Sequence, residues 1–528
     1  MRGRNLFLVG LALLAACVIA AAQTSSPQLK QVAYLKASNT EMGDHFGNGG
    51  TLEGHSVALS GDGSTLAVGA PYESSAAKGI NGNQNDNSLY SAGAVYVFIN
   101  RNNTWSQQAY IKASNPGQSD KFGYVVSLSQ DGNTLAVSAV WEASAAKGIN
   151  GDQNDDSIPQ AGAVYIFTRT GATWSQQAYI KASNTGEAGV GDQFGDGDEF
   201  GFSISLSGDG NTLAAGAIGE DSGSKGINGD QNDNSQSGSG AVYVFARSGT
   251  AWSQQAYIKA SNTDAGDLFG YSVGLSADGN TLAVSAYDED GSSREINGVQ
   301  DKARRGSGAI FAFTRSGTTW SQQAYLKASN AENGDSLGYA TAISQDGNTI
   351  AGGAADEDCM TPGVFLPSPV VCDKDQPMDN SSGAVYVFVR NGTTWTEQAF
   401  IKSSNPGKED WFGSRLTLSG DGNTLAVGAQ VENGSARVIN GKADDAAEDA
   451  GAVYFFTRSG TTWMQKAYVK ASNADAYDEF GSAMALSRDG KLMAVGARSE
   501  SSSAKGINGD QSDNSAQGSG AVYIFTYQ

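Results

Sequence analysis

One phrase, AYIKASN with small variations, begins at Ala33, Ala109, Ala178, Ala256, Ala324, Ala399 and Ala467. Successive starts lie 68 to 78 residues apart, so most of the 528-residue chain is seven copies of one unit. Such a unit cannot bury its own hydrophobic face and must pack against its neighbours. Within each copy the order is constant: an aromatic-Gly pair (Leu337-Gly338 in the fifth), SxSLSxDGNTLAVGA, a polar stretch, SGAVYVFTR, and GTTWSQQ leading into the next AYIKASN.

The internal spacings locate the rigid parts. From the aromatic-Gly position to the Gly or Ser before the next strand-ending Ala is 16 residues in all seven copies, with Glu53 standing for the aromatic in the first. From the Gly of GAVY to the next Tyr or Phe is 17 residues, as from Gly93 to Tyr110. Alternating apolar and polar residues around DGN describe one hairpin, and AVYVF joined to WSQQAYIK by a glycine turn describes a second. Each unit is therefore four short strands, A (FGYSVGLS), B (TLAVSA), C (GAVYVF) and D (WSQQAYIK). Seven four-stranded units predict an all-β, seven-bladed β-propeller.

The chain ends support closure. The last copy stops after AVYIFTYQ without a D strand, and the chain begins with an orphan D strand, LKQVAYLK from Leu29. Pairing the two would complete the last blade and leave no open edge. Tryptophans 105, 174, 252, 320, 395 and 463 open the six internal D strands, where packing of the C–D hairpin explains them.

Glycine makes up 69 of 528 residues, nearly twice the average of about 7%, which argues against a helical fold. The formal charge of −21 makes nucleic acid and anionic lipid poor partners, since neither finds a basic surface here. Residues 1–22 read as a secretory signal, with Arg2 and Arg4, an apolar run and Ala20-Ala21-Ala22 before Gln23. Residues 23–528 are then one exported propeller, secreted, periplasmic or surface-bound, monomeric and without a transmembrane segment. Leu14-Ala15-Ala16-Cys17 also resembles a lipobox, which would anchor the chain through Cys17. Cys359 and Cys372, 13 apart in one loop, are expected to form a local disulfide in an oxidising compartment.

The unit resembles the FG-GAP repeat of integrin α-subunit heads and secreted bacterial proteins. Phe122-Gly123, Phe200-Gly201, Phe269-Gly270, Phe412-Gly413, Phe480-Gly481 and Gly69-Ala70-Pro71 carry the resemblance. It implies a seven-bladed propeller acting as a binding module, with the B–C and D–A loops on one face. The DxDxDGxxD calcium loop found between strands A and B in such proteins is absent. The turn here is only Ser-x-Asp-Gly-Asn-Thr, and aspartates 62, 131, 209, 278, 346, 421 and 489 are turn formers.

Two further acids recur in every copy. Glu73, Glu142, Glu220, Glu289, Glu357, Glu432 and Glu500 follow the B strand; Asp44, Asp120, Asp198, Asp267, Asp335, Asp410 and Asp478 precede the A strand. They would form either a cation-attracting mouth or a set of loop braces. The B–C loops of copies one, two, three and seven place oxygen side chains at alternate positions. These are Asn83, Asn85 and Asn87; Asp152, Asn154 and Asp156; Asp230, Asn232 and Asn234; and Asp510, Ser512 and Asn514. Alternate hard oxygens are how an EF-hand loop begins to wrap Ca²⁺, and they are equally the mark of Asx-rich turns. No other cofactor is indicated, and no catalytic residue stands out, since His45 and His55 are the only histidines and both lie in copy one. The expectation is a secreted or surface binding and adhesion scaffold that takes a protein or glycan ligand through variable acidic loops. A carbohydrate-active enzyme with carboxylates at the channel mouth, or a structural envelope or matrix protein, are the alternatives.

Overall fold

The computed structural model describes residues 28–48, 55–186, 197–365 and 380–528. The expected signal and Cys372 lie outside them. Among the described residues every regular element is a strand, and no helix is long and apolar enough to cross a membrane.

Alternation of apolar residues, punctuated by Asp-Gly and Gly-Thr turns, gives seven antiparallel sheets. The first blade is Val57–Leu59, Thr65–Ala70, Ala94–Arg101 and Thr104–Ile111, strands A to D. The A strands contact one another in sequence and the last meets the first, so they line the axis of a closed seven-bladed β-propeller. Because the strands alternate in direction, A–B and C–D turns share one face, while B–C and D–A loops share the other. The seventh blade is completed by the N-terminal strand Leu29–Leu35, which pairs with Ala521–Tyr527 from Leu29 opposite Tyr527 to Leu35 opposite Val522.

A cycle of seven backbone hydrogen bonds circles the axis at the A–B turns. The amides of Gly61, Gln130, Gly208, Ala277, Gln345, Gly420 and Arg488 each donate to the carbonyl of the next in that order, and Arg488 returns to Gly61, all at 2.8–2.9 Å. No blade can tilt without breaking two of them. Aliphatic and aromatic side chains fill the gaps between blades: Val95 and Val97 of the first pack with Phe122, Leu135 and Tyr165 of the second.

The Gly of GAVY shows why the repeat tolerates no other residue there. At Gly93 φ is +81°, and a Cβ would sit 2.1 Å from the Phe122 carbonyl oxygen. The same approach recurs at Gly162, Gly240, Gly308, Gly383, Gly451 and Gly520. An L side chain at this point would clash with the next blade and strain the backbone.

The tryptophans do more than pack their own hairpins. Trp174 Nε1 donates to Gln108 Oε1 on the preceding blade at 3.0 Å, and Arg169 also donates to Gln108 and to Thr65. The Arg169 guanidinium lies over the Trp174 ring. This latch repeats with Trp252, Trp320, Trp395 and Trp463. It is missing on both sides of the seventh blade, where Val32 occupies the Gln position and Asn100 and Tyr527 the Arg positions.

One spacing needs correcting. In the first blade the aromatic-Gly place is held by Phe46-Gly47, not by Glu53: Phe46 packs edge-on against Tyr96 and Phe98 as Phe122 does against Tyr165 and Phe167. The extra residues of this copy therefore follow the Phe-Gly pair, and the 16-residue interval does not hold there.

Candidate functional site

The recurring glutamates face inward. Glu73 Oε2 lies 2.7 Å from Lys112 Nζ, and its Oε1 accepts from Tyr110 Oη at 2.8 Å and from Asn39 Nδ2 at 3.1 Å. Every blade repeats the Lys–Glu pair at 2.7–2.9 Å with both partners buried: Lys181–Glu142, Lys259–Glu220, Lys327–Glu289, Lys402–Glu357, Lys470–Glu432 and Lys36–Glu500. The asparagine comes from the preceding blade, so each cluster also staples two blades together. Burial of such a pair is tolerable only because hydrogen bonds satisfy the remaining lone pairs. These glutamates brace the blades and cannot form a cation-attracting mouth.

The recurring aspartates brace the D–A loops. Asp120 accepts from the Gly117 amide at 2.6 Å and Asp267 from the Asp264 amide at 2.9 Å. Burial, opposed by that amide and helped by Glu142, pushes Asp120 up to about 7, while burial and Glu289 take Asp267 to about 8. Two neighbouring carboxyls resemble an acid–base pair, but Asp120 is 5% exposed and Glu142 1%. The turn aspartates accept from a serine hydroxyl and a backbone amide, as Asp62 does from Ser60 and Ser64, and serve as turn formers.

The B–C loops run back along the D strand. Asn81 donates its amide to the Tyr110 carbonyl at 2.7 Å and accepts the Tyr110 amide on Oδ1 at 3.0 Å, covering the sheet edge. Beyond it Asn83, Asn85, Asn87, Asp152, Asn154, Asp156, Asp230, Asn232, Asn234, Asp510 and Asn514 are exposed. The first of each set closes an Asx turn: Asn83 on the Asn85 amide, Asp152 on Asn154, Asp230 on Asn232 and Asp510 on Ser512. The Asn514 amide donates to Asp475 at 2.9 Å. A Ca²⁺ ion needs six to eight converging oxygens. These loops supply outward Asx turns, and among the described residues no three His, Cys, Asp or Glu side chains form a metal set. Cys359 is 3% exposed, and its expected partner Cys372 lies outside the described residues.

Two adjoining cavities lie on the axis and reach the A–B turns. Within the channel, Leu59, Leu128, Leu206, Leu275, Ile343, Leu418 and Leu486 line a cavity of about 150 Å³. On the A–B turn side a wider cavity of about 850 Å³ is rimmed by Asp62, Asp346, Asp421 and Asp489 with Arg488. Those aspartates are held in their turns, while the axial position beside them varies as Gly61, Gln130, Ala277, Gln345, Gly420 and Arg488.

The opposite end of the axis differs. The residue just before each Phe-Gly position (Leu-Gly in the fifth blade) has a left-handed backbone: His45, Lys121, Glu199, Leu268, Ser336, Trp411 and Glu479, with φ from 50° to 59°. Glycine would relieve that strain at every one, yet none of the seven is glycine. No residue but glutamate occurs twice. The residues after each B strand vary likewise, from Tyr72 and Trp141 to Tyr287, Asp356 and Arg498.

Contacts link this ring across the blades. Arg498 donates to Glu479 Oε1 at 2.7 Å, and His45 Nδ1 lies 3.0 Å from the Arg498 carbonyl. His45 meets Tyr72 edge-on at 5.0 Å. The Lys121 ammonium sits 5.0 Å from the Tyr72 centroid and 3.1 Å from that of Trp141, whose Nε1 donates to Glu199 at 3.0 Å. Phe202, Tyr271, Tyr287 and Tyr339 continue the arc as an aromatic cluster with centroids 4.1–5.8 Å apart. Burial lowers Lys121 to about 8 against the pull of Glu199, and burial, with the charge of Arg498, also lowers His45. Deeper in the channel, Arg415 donates to the carbonyls of Ser482 and Ser414, while burial and its charge take His55 down to about 4.

Sequence reasoning followed what repeats and so missed this ring. The signal was the reverse one, positions in strict register whose identity changes from copy to copy.

The FG-GAP repeat family matches residues 105–167, 252–313, 395–456 and 463–525. No curated protein matches the chain. Among solved structures, the Pseudomonas aeruginosa periplasmic gluconolactonase is similar at 13% identity and a TM-score of 0.45, covering 85% of this chain and 98% of its own. The WD40 repeats of RRP9 are similar at 8% identity and a TM-score of 0.43, covering 94% and 100%.

Proposed function

This chain is a seven-bladed β-propeller carrying FG-GAP repeats, and we propose that it is an exported binding scaffold whose ligand sits in the axial mouth on the Phe-Gly face. The single observation that carries this reading is the ring of seven left-handed, non-glycine residues from His45 to Glu479. Each such residue costs about 1–2 kcal/mol relative to an ordinary backbone. Strain retained in seven places with differing side chains marks this ring as the working part, with the fully buried Leu268 supporting its neighbours rather than touching the ligand. The exposed B–C loops, on the same face, form an outer rim that a large ligand would also touch.

A glycan and protein array, probed with and without EDTA, tests the reading. A ligand captured by the intact chain is expected to survive EDTA, because among the described residues the axial ring holds no set of cation-ligating oxygens and the first oxygen of each loop set is engaged in an Asx turn. It is expected to be lost on Tyr72→Ala and Trp141→Ala substitution and kept when residues 83–87 are replaced by Gly and Ser. Retention in the axial variants and loss in the loop variant would move the site to the rim.

A further inference from the structure

Lys121 is the ring residue whose side chain is buried with no direct ion pair or hydrogen bond at its ammonium, only the longer-range pull of Glu199. It is 8% exposed, yet its Nζ contacts only the faces of Tyr72 and Trp141, with no hydrogen-bond acceptor in reach among the described residues. Elsewhere in this protein a buried lysine is always answered: each of the seven D-strand lysines has its glutamate at 2.7–2.9 Å. The nearest ring carboxylate, Glu199, accepts from the Trp141 indole. His45, the other titratable group beside Tyr72, is directed to the Arg498 carbonyl.

The ammonium at the end of this buried side chain has water rather than a protein oxygen as its acceptor, and cation–π contact contributes only about 0.5–2 kcal/mol. A carboxylate brought to it would form a charge-assisted hydrogen bond in a partly dry setting. The rings of Tyr72 and Trp141, both half-buried, flank the ammonium and offer apolar surface to whatever carries that carboxylate. The arrangement asks for an anion attached to a body with a flat C–H face.

We propose that Lys121, Tyr72 and Trp141 form a subsite for a carboxylated sugar, the ammonium taking the uronate carboxylate and the aromatic rings taking the sugar's C–H face. This deepens the axial-mouth reading and rests on it. The chain's charge of −21 does not forbid an acidic ligand, since exposed charges are screened over about 8 Å at physiological salt while the contact at Lys121 is shielded from it.

The test uses the full mature chain and isothermal calorimetry with tetrasaccharides of galacturonate, glucuronate and mannuronate, their carboxyl-reduced counterparts, a sulfated tetrasaccharide and tetraglutamate. At least one uronate is expected to bind, its reduced counterpart at least about tenfold more weakly, with neither the sulfated sugar nor the peptide matching it. Lys121→Met, which removes a charge with no direct partner, is expected to keep the melting temperature and lose that preference for the carboxylate. The uronate affinity of the intact chain is expected to fall about tenfold or more between pH 6.5 and 9.5 as the ammonium is lost, and that of Lys121→Met to stay flat. No uronate binding, equal binding of the reduced sugars, equal binding of tetraglutamate, or a preference untouched by Lys121→Met would each overturn the inference. If the array nonetheless finds a neutral ligand that depends on Tyr72 and Trp141, the axial reading stands and only the carboxylate assignment falls.

Discussion

At the scale of single residues, the buried clusters can be read through their natural exceptions. Six blades carry a Tyr on strand C whose hydroxyl donates to the inter-blade Asn, as Tyr165 does to Asn115 at 2.7 Å. The fourth carries Phe311, and there Asn262 Oδ1 is buried without a partner. The missing hydroxyl and the orphaned oxygen are one fact. Phe311→Tyr is therefore expected to stabilise the protein by about 1 kcal/mol, read as a higher denaturant midpoint. A lower midpoint would mean that the cluster is filled by packing rather than by hydrogen bonding. The recurrence of these glutamates was plain in the sequence, and so was the choice between mouth and brace. What decided it, the lysine 39 residues further on in strand D, was part of the AYIKASN phrase throughout. Only the strand register showed that Glu73 and Lys112 meet.

At the scale of elements, strands A to D, their order and both hairpins were legible because period-two patterning and turn residues are local signals. Less legible were links between repeats. The Trp–Gln–Arg latch joins residues some 60 to 110 positions apart, and each member looks ordinary within its own strand. Equally silent was Asn81, just before the alternate loop oxygens, which forms the two-point contact with the D-strand Tyr110. The loop oxygens beyond are what an edge cover leaves exposed. Copy one misled for a physical reason: Phe46 keeps its place against Tyr96 while the insertion follows it, so counting back from Gly69 landed on the wrong residue. The closing blade lacks the latch on both flanks and depends on its strand pairing, from Leu29 to Leu35, and on the axial hydrogen-bond cycle.

At the scale of the whole molecule, sevenfold recurrence makes proton uptake collective. Burial, helped in each case by a neighbouring glutamate, raises Asp44, Asp198 and Asp267 to about 8 and Asp120, Asp410 and Asp478 to about 7. The ordinary value is 3.8, so folding takes up protons between these limits. Stability from these groups is complete below about pH 4 and is lost as pH rises through 7 to 8. The seven D-strand lysines, lowered by burial, act the opposite way. The melting temperature is thus expected to be higher at pH 5.5 than at pH 8.5. Equal values, or the reverse order, would mean that the aspartates are ionised in the fold.

The division of labour between a repeated frame and a non-repeated axial ring is the central claim. It is tested most directly by replacing His45 and Lys121 together with glycine, the residue their left-handed backbone prefers, and measuring both melting temperature and ligand capture. The account predicts a melting temperature unchanged or raised, because strain is relieved and a charge with no direct partner removed, together with loss of the captured ligand. A stable variant that still binds its ligand at full strength would contradict it.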